Sequence, residues 1–203
     1  MAVTVDDSSN GIEQAADTVR DGGTVIYPTE TCYGLGCDAT DAEAVERIYE
    51  LKQRPREKGL TCIVADLATA EQYCRLTDTE RALVEALMPG PLTLVAEKTG
   101  KVPDVLNTAF AFRIPGSETA QRLAEEAGVP VVATSANVSG DPSRYRVDEI
   151  STDIRSQVDV VIDAGELERE EPSTVVAVQD GDVVVHRAGP VSRDAIEETL
   201  HRS

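Results

Sequence analysis

Helical and strand periodicities take turns along almost the whole chain, and that alternation leaves few folds open. Ile12, Ala15, Ala16 and Val19 form one apolar stripe, closed by Asp21-Gly22-Gly23. Thr24–Tyr27 then reads as a strand ended by Pro28. Asp41 is placed to cap a helix whose Ala44, Val45, Ile48, Tyr49 and Leu51 share a face. A strand over 60–65, helices over 67–75 and 79–88, a Pro89-Gly90-Pro91 break and strands over 92–96 and 109–114 follow. Ser117 caps a helix stopping at Gly128, and 129–133 is a short buried strand. After a loop over 134–143, the pattern predicts a helix near 147–156 and a strand over 158–163. Residues 164–172 are acidic and loop-like. Strands over 173–178 and 183–187 flank the hairpin turn Asp180-Gly181, and Ser192 caps a last helix. Interleaved helices and strands with a closing hairpin predict α/β architecture: one domain over 10–200, a twisted open mixed sheet flanked by helices, with 1–9 as an N-terminal extension.

The core must be aliphatic, because aromatics make up only 3% of the 203 residues and Trp is absent. Asp and Glu number 37 against 19 Lys and Arg, a net charge of −18. Such a surface resembles that of proteins from salty cytoplasm, and it opposes a broad nucleic-acid or anionic-membrane footprint. The N-terminus shows no signal-peptide pattern and no apolar run reaches spanning length, so the expected location is the cytoplasm. Cys32, Cys37, Cys62 and Cys74 lack paired C-x-x-C spacing and read as small buried hydrophobes rather than metal ligands.

Against that acidity, Lys52, Arg54, Arg56 and Lys58 crowd into seven positions, and Pro55 stiffens them into a shaped loop. Such a loop suits an anion, phosphate above all, although cations also favour helix C-termini. Thr29 and Thr31 follow a strand and lead to Gly34 and Gly36, as in a ligand loop at a strand's end or a plain turn. Residues 34–39 match G-x-G-x-x-A, but six residues separate the strand from the first glycine, which disfavours a dinucleotide fold; no P-loop occurs. Thr134-Ser135-Ala136-Asn137 is either an oxyanion-wrapping run or a simple Ser/Asn turn. Arg113 and Arg187 end strands, positions that a solvated edge would also explain. His186 and His201 are the two histidines, and neither is placed to act as a general base beside these groups.

Taken in order, Tyr27-Pro28-Thr29-Glu30-Thr31 through Gly34-Leu35-Gly36, Lys52-Gln53-Arg54-Pro55, Lys58-Gly59-Leu60, Pro89-Gly90-Pro91-Leu92-Thr93, Phe112-Arg113-Ile114-Pro115, Thr134-Ser135-Ala136-Asn137, Pro172-Ser173-Thr174-Val175-Val176 and Arg187-Ala188-Gly189-Pro190 resemble the YrdC-type L-threonylcarbamoyladenylate synthases, over residues 10–200 and in their short, single-domain form. The resemblance implies a YrdC-like sheet curved around a deep, positively lined cavity. It implies a nucleotidyltransferase that joins L-threonine, bicarbonate and ATP into threonylcarbamoyl-AMP and pyrophosphate, for modification of adenosine 37 of tRNA. Thr29, Arg113 and Ser173 would contact threonine. Lys52, Arg54, Ser135, Asn137, Ser143 and Arg187 would contact ATP, with Arg56 and Lys58 assisting, and Lys52 and Arg54 would carry the charge of catalysis. Mg2+ would arrive with ATP, and a separate threonylcarbamoyl-transferase would take the product to tRNA, with no tight tRNA binding here. Many members carry a histidine where this chain has Ile63, and some a threonine where it has Ala109. The rival readings are an RNA-binding module and a carbamoyltransferase-related domain of the same fold.

Overall fold

The computed structural model describes residues 2–202. The chain runs β1 (Val3–Asp6), α1 (Ser9–Arg20), β2 (Val25–Pro28), β3 (Tyr33–Gly36), α2 (Ala42–Lys52), β4 (Thr61–Ile63), α3 (Leu67–Ala70), β5 (Cys74–Arg75), α4 (Asp78–Leu87), β6 (Leu92–Lys98) and β7 (Phe110–Arg113). It continues through α5 (Glu118–Ala127), β8 (Val131–Val132), β9 (Thr134–Ser135), α6 (Thr152–Arg155), β10 (Val160–Asp163), β11 (Thr174–Gln179), β12 (Asp182–Arg187) and α7 (Arg193–Arg202). Helix starts are chemically marked. Ser8, Asp41 and Ser117 accept backbone N–H groups at the first turns of α1, α2 and α5. Thr77 and Glu80 form a reciprocal capping box on α4.

The architecture is mixed α/β, as the alternation predicts, but the strands divide between two sheets. One has the order β1-β10-β2-β3-β9, the other β12-β11-β6-β7-β4-β8, with β5 added on β6. The larger core lies between them, with Ile26, Tyr33 and Leu35 on one side and Leu60, Cys62, Leu94, Phe112 and Val176 on the other. Helices α1 and α5 cover the outer face of the first sheet through Ile12, Ala15, Ala16 and Val19 against Ala120, Leu123, Ala124 and Ala127. Alanine at these contacts lets the two helices lie close together.

The N-terminal residues are no appendage. β1 pairs in parallel with β10, Val3 level with Val160, and Gly11 allows the tight return into α1: a Cβ there would lie 2.0 Å from the Asp6 carbonyl oxygen. Other expectations also need correction. The helix expected over 67–75 ends at Ala70, and Cys74–Arg75 join β6 instead. The helix expected near 147–156 is a 3-10 turn at Val147–Glu149 followed by the short α6. Residues 28–36, read as a loop, include β3, which pairs antiparallel with β2. That pairing removes the dinucleotide motif, because Gly34 and Gly36 lie in a strand and not at a strand-to-helix turn. They are glycines because the Tyr27 ring crosses them. A Cβ on Gly36 would lie 2.9 Å from Tyr27 Cε1 and 2.3 Å from the Val132 carbonyl oxygen. The Asp180-Gly181 turn has positive φ at both residues, 53° and 89°, the geometry the sequence predicts for that hairpin.

Candidate active site

Sheet register brings distant residues close together on neighbouring strands of the second sheet. Val175 of β11 pairs with Thr93 of β6 and with Arg187 of β12, while Leu94 pairs with Phe112, next to Arg113. With its neighbours Leu92 and Leu94 buried in the core, Thr93 faces the opposite way. There it lines a cavity of about 240 Å³ together with Thr61, Ser173, Arg54, Arg113 and Arg187. Ser135, Ser143, Tyr145 and Glu170 complete the polar wall. Three guanidiniums against one carboxylate make the lining cationic within a chain of charge −18.

Each guanidinium is fixed by chain atoms. Arg187 donates from Nε and Nη2 to the Ser173 carbonyl at 3.0 and 2.8 Å, and from Nη2 to Ser173 Oγ at 3.1 Å. Ser173 is held from behind by Gly189, where a Cβ would meet the Pro172 carbonyl oxygen at 2.4 Å and the Thr174 nitrogen at 2.6 Å. Arg54 donates from Nε to the carbonyls of Lys58 and Gly59 at 3.0 and 3.2 Å. Arg113 pairs with Glu30, both side chains largely buried, and Glu30 Oε2 is left without a partner among the described residues. Burial, and then the charge of Arg113, lower the pKa of Arg187. Two such cations close enough to feel each other are relieved by an anion.

Lys52 lies behind the wall, not in it. It is 1% exposed, and its Nζ donates to the carbonyls of Ser135 and Asn137, the latter at 2.8 Å. Its own carbonyl accepts from Ser139 N–H at 2.8 Å. The lysine therefore ties the 134–139 segment to the end of α2. Burial, with Arg54 nearby, brings its pKa down to about 8. Tyr33 organises the same wall from β3: its carbonyl accepts from Ala136 N–H, its N–H donates to the Arg144 carbonyl, and its hydroxyl donates to the Gly165 carbonyl at 2.8 Å.

The expected residues divide into three groups. Arg54, Arg113, Ser135, Ser143, Ser173 and Arg187 line the cavity. Thr29, Lys52 and Asn137 stand behind it. Thr29 Oγ1 donates to the Cys32 carbonyl at 2.7 Å and accepts from the N–H groups of Thr31 and Cys32, a turn that carries those two residues to the lining. Asn137 donates to the Val138 and Asp141 carbonyls and leaves Oδ1 unpartnered among the described residues. Arg56 and Lys58 lie outside: Arg56 pairs with Glu46 and lies 5.4 Å from the Tyr49 ring centroid, and Lys58 is exposed. Ile63 is fully buried in the core and brings no polar group, whereas Thr61 on the same strand does. Thr61, Thr93, Tyr145 and Glu170 are lining residues to which the sequence assigned no role, while Thr31 was read as part of a ligand loop or a plain turn. For Thr93 the signal was present in its place after Pro89-Gly90-Pro91 and in the period-2 pattern of its strand.

Known proteins resemble this chain in sequence and in fold. The threonylcarbamoyl-AMP synthase of Pyrococcus abyssi is 35% identical over 93% of this chain, which spans 57% of that protein's length. The protein of the same name from Cellvibrio japonicus is 35% identical over 85% of this chain and 94% of its own. The crystal structure of P. abyssi Sua5 complexed with L-threonine superposes with a TM-score of 0.90 at 33% identity, covering 98% of this chain and 61% of that one. A family model described as "Telomere recombination", Sua5/YciO/YrdC, matches residues 17–189, and the chain belongs to that family.

Proposed function

We propose that this chain is a threonylcarbamoyl-AMP synthase, joining L-threonine, bicarbonate and ATP into threonylcarbamoyl-AMP and pyrophosphate. The observation that carries the reading is the convergence of Arg54, Arg113 and Arg187 with the hydroxyls of Ser135, Ser143 and Ser173 on one cavity. Relatives that span this chain bear that name, and one solved relative is described as complexed with L-threonine.

The chemistry suits these groups. Bicarbonate takes up a proton and loses water to give CO2, the threonine amine adds to it with release of a proton, and an oxygen of the resulting carbamate attacks the α-phosphorus of ATP. A new O–P bond forms as the bond to the pyrophosphate oxygen breaks, and the electron pair leaves with pyrophosphate. The carbamate is already a nucleophile, so the protein's task is in-line placement and neutralisation of the departing charge. In this reading Arg113 and Ser173 receive the threonine carboxylate, and threonine displaces Glu30 from part of the Arg113 fork. Arg54, Arg187, Ser135 and Ser143 receive the triphosphate, and Lys52 fixes the 134–139 wall. Thr29 shapes the threonine end through Thr31 and Cys32. Magnesium brought in with ATP would supply charge neutralisation on the phosphates, and Glu170 and Ser143 would offer it hard oxygen donors. The product then passes to a separate transferase acting on tRNA. Tyr145, the one aromatic among the described lining residues, gives little for stacking RNA bases.

The test is pyrophosphate release from ATP with threonine and bicarbonate omitted in turn. Release that needs both supports the reading. ATP turnover indifferent to threonine would overturn it.

A further inference from the structure

Beneath the arginines two buried hydroxyls touch, and their hydrogens can be counted. Ser173 Oγ accepts from Arg187 Nη2 at 3.1 Å and lies 2.8 Å from Thr93 Oγ1. Both residues line the cavity, yet both are deeply buried, Thr93 at 1% exposure and Ser173 at 6%. A hydroxyl has one hydrogen to give and two lone pairs to receive with. Arg187 occupies one lone pair of Ser173, because a guanidinium only donates. One hydrogen bond then joins two hydroxyls, which leaves one hydrogen over. Among the described residues Thr93 Oγ1 has no hydrogen-bond partner other than Ser173, so its buried hydrogen finds an acceptor only there. With Thr93 donating, both lone pairs of Ser173 are taken and its own hydrogen is forced outward into the cavity. Two donors on one oxygen also polarise its O–H, making it a stronger donor in turn.

We infer that Thr93 is a positioning residue that converts Ser173 into an obligate hydrogen-bond donor toward an anionic oxygen of the substrate, the carboxylate of the amino acid. Arg187 and Thr93 set the polarity, and Ser173 delivers it. A site poised in this way accepts a carboxylate and turns away a group that can only donate at that point, such as an ammonium.

The inference rests on the proposed reading, in which the threonine carboxylate meets Ser173, and its test separates the two. Threonine affinity is measured by calorimetry, alongside the ATP KM, for the wild type, Thr93→Val, Thr93→Ser, Ser173→Ala and the double variant Thr93→Val/Ser173→Ala. Valine keeps the shape of threonine and removes the donor. Thr93→Val is expected to weaken threonine binding about tenfold, the scale of one neutral hydrogen bond, with the ATP KM changed less than about twofold. Thr93→Ser restores the donor and most of the affinity. In the double variant the Thr93 change costs nothing further, because its only target is gone. A wild type that binds ATP but not threonine overturns the functional reading and this inference with it. A wild type that binds threonine while Thr93→Val binds it equally well overturns the role of Thr93 alone. So does a double variant whose losses add. If Thr93→Val proves too unstable to assay, failure of Thr93→Ser to retain affinity overturns that role as well.

Discussion

Lys52 shows how one side chain links the acid-base behaviour of the site to its architecture. Its Nζ is enclosed and bonded to two carbonyls, and burial lowers its pKa from the ordinary 10.5 to about 8. Between those values the unfolded chain holds a proton the folded chain has released, so stability contributed through this residue rises with pH across that window. Below pH 8 the buried charge is fully present and its desolvation cost is carried in full. The stability difference between wild type and Lys52→Met, followed by denaturant titration, should shift in favour of the wild type as pH rises from 8 to 10.5. A difference that stays flat would show that the lysine is not depressed. Activity should move the other way. Loss of the proton near pH 8 weakens the tie to Ser135 and Asn137, so kcat/KM for ATP should decline above that pH. In the cavity lining, Arg113→Lys removes a planar fork that a carboxylate can bridge. The threonine KM should rise about tenfold or more while that for ATP changes little; equal effects on both would break the assignment of Arg113 to the amino acid.

At the scale of elements, the hairpin of β2 and β3 is where the sequence was hardest to read. Gly34, Gly36 and Pro28 all disfavour strands, so local propensity points to a loop. The pairing becomes intelligible only once Tyr27 is seen lying across the glycines, with its hydroxyl donating to the Val132 carbonyl at 3.0 Å. Gly36→Ala would push a methyl into that ring and into backbone, and should cost roughly 1–3 kcal/mol, a fall in Tm on the order of 2–12 °C. Gly34→Ala, whose Cβ would lie 3.2 Å from Tyr27 Cζ, should cost less. Thermal melts of the two variants check the order, and equal losses would mean the ring yields freely. Long periodic helices such as α2 and α5 were legible because stripe and cap agree. The short α3 and α6 were foreseen as longer helices, since four-residue helices carry too little pattern to fix where they start and stop. The arginines and serines of the cavity were legible as residues. Thr93 carried a local signal, but its pairing beside Ser173, like the placing of Thr61 in the lining, comes from register, which no local window contains.

For the molecule as a whole, charge and chain order have separate consequences. A net charge of −18 on 203 residues makes the folded state repel itself in dilute buffer. Raising KCl from about 0.1 M to 1 M shortens the screening length from roughly 10 Å to 3 Å. Tm should climb over that range, and a flat or falling Tm by calorimetry would show that the acidic surface carries no such penalty. The order of strands matters in time. Val3 pairs with Val160, and the cavity closes only when Arg187 reaches Ser173. At about 5–20 residues per second on the ribosome, the first strand waits on the order of ten to thirty seconds for its neighbour. Through that interval its edge has no native partner to hydrogen-bond. An aspartate-rich start, with Asp6 and Asp7 closing the segment, keeps such an edge hydrated and discourages other nascent chains from pairing with it. A nascent chain would then be unable to complete the cavity until Arg187 had been made, so that during synthesis the site assembles in one step rather than gradually.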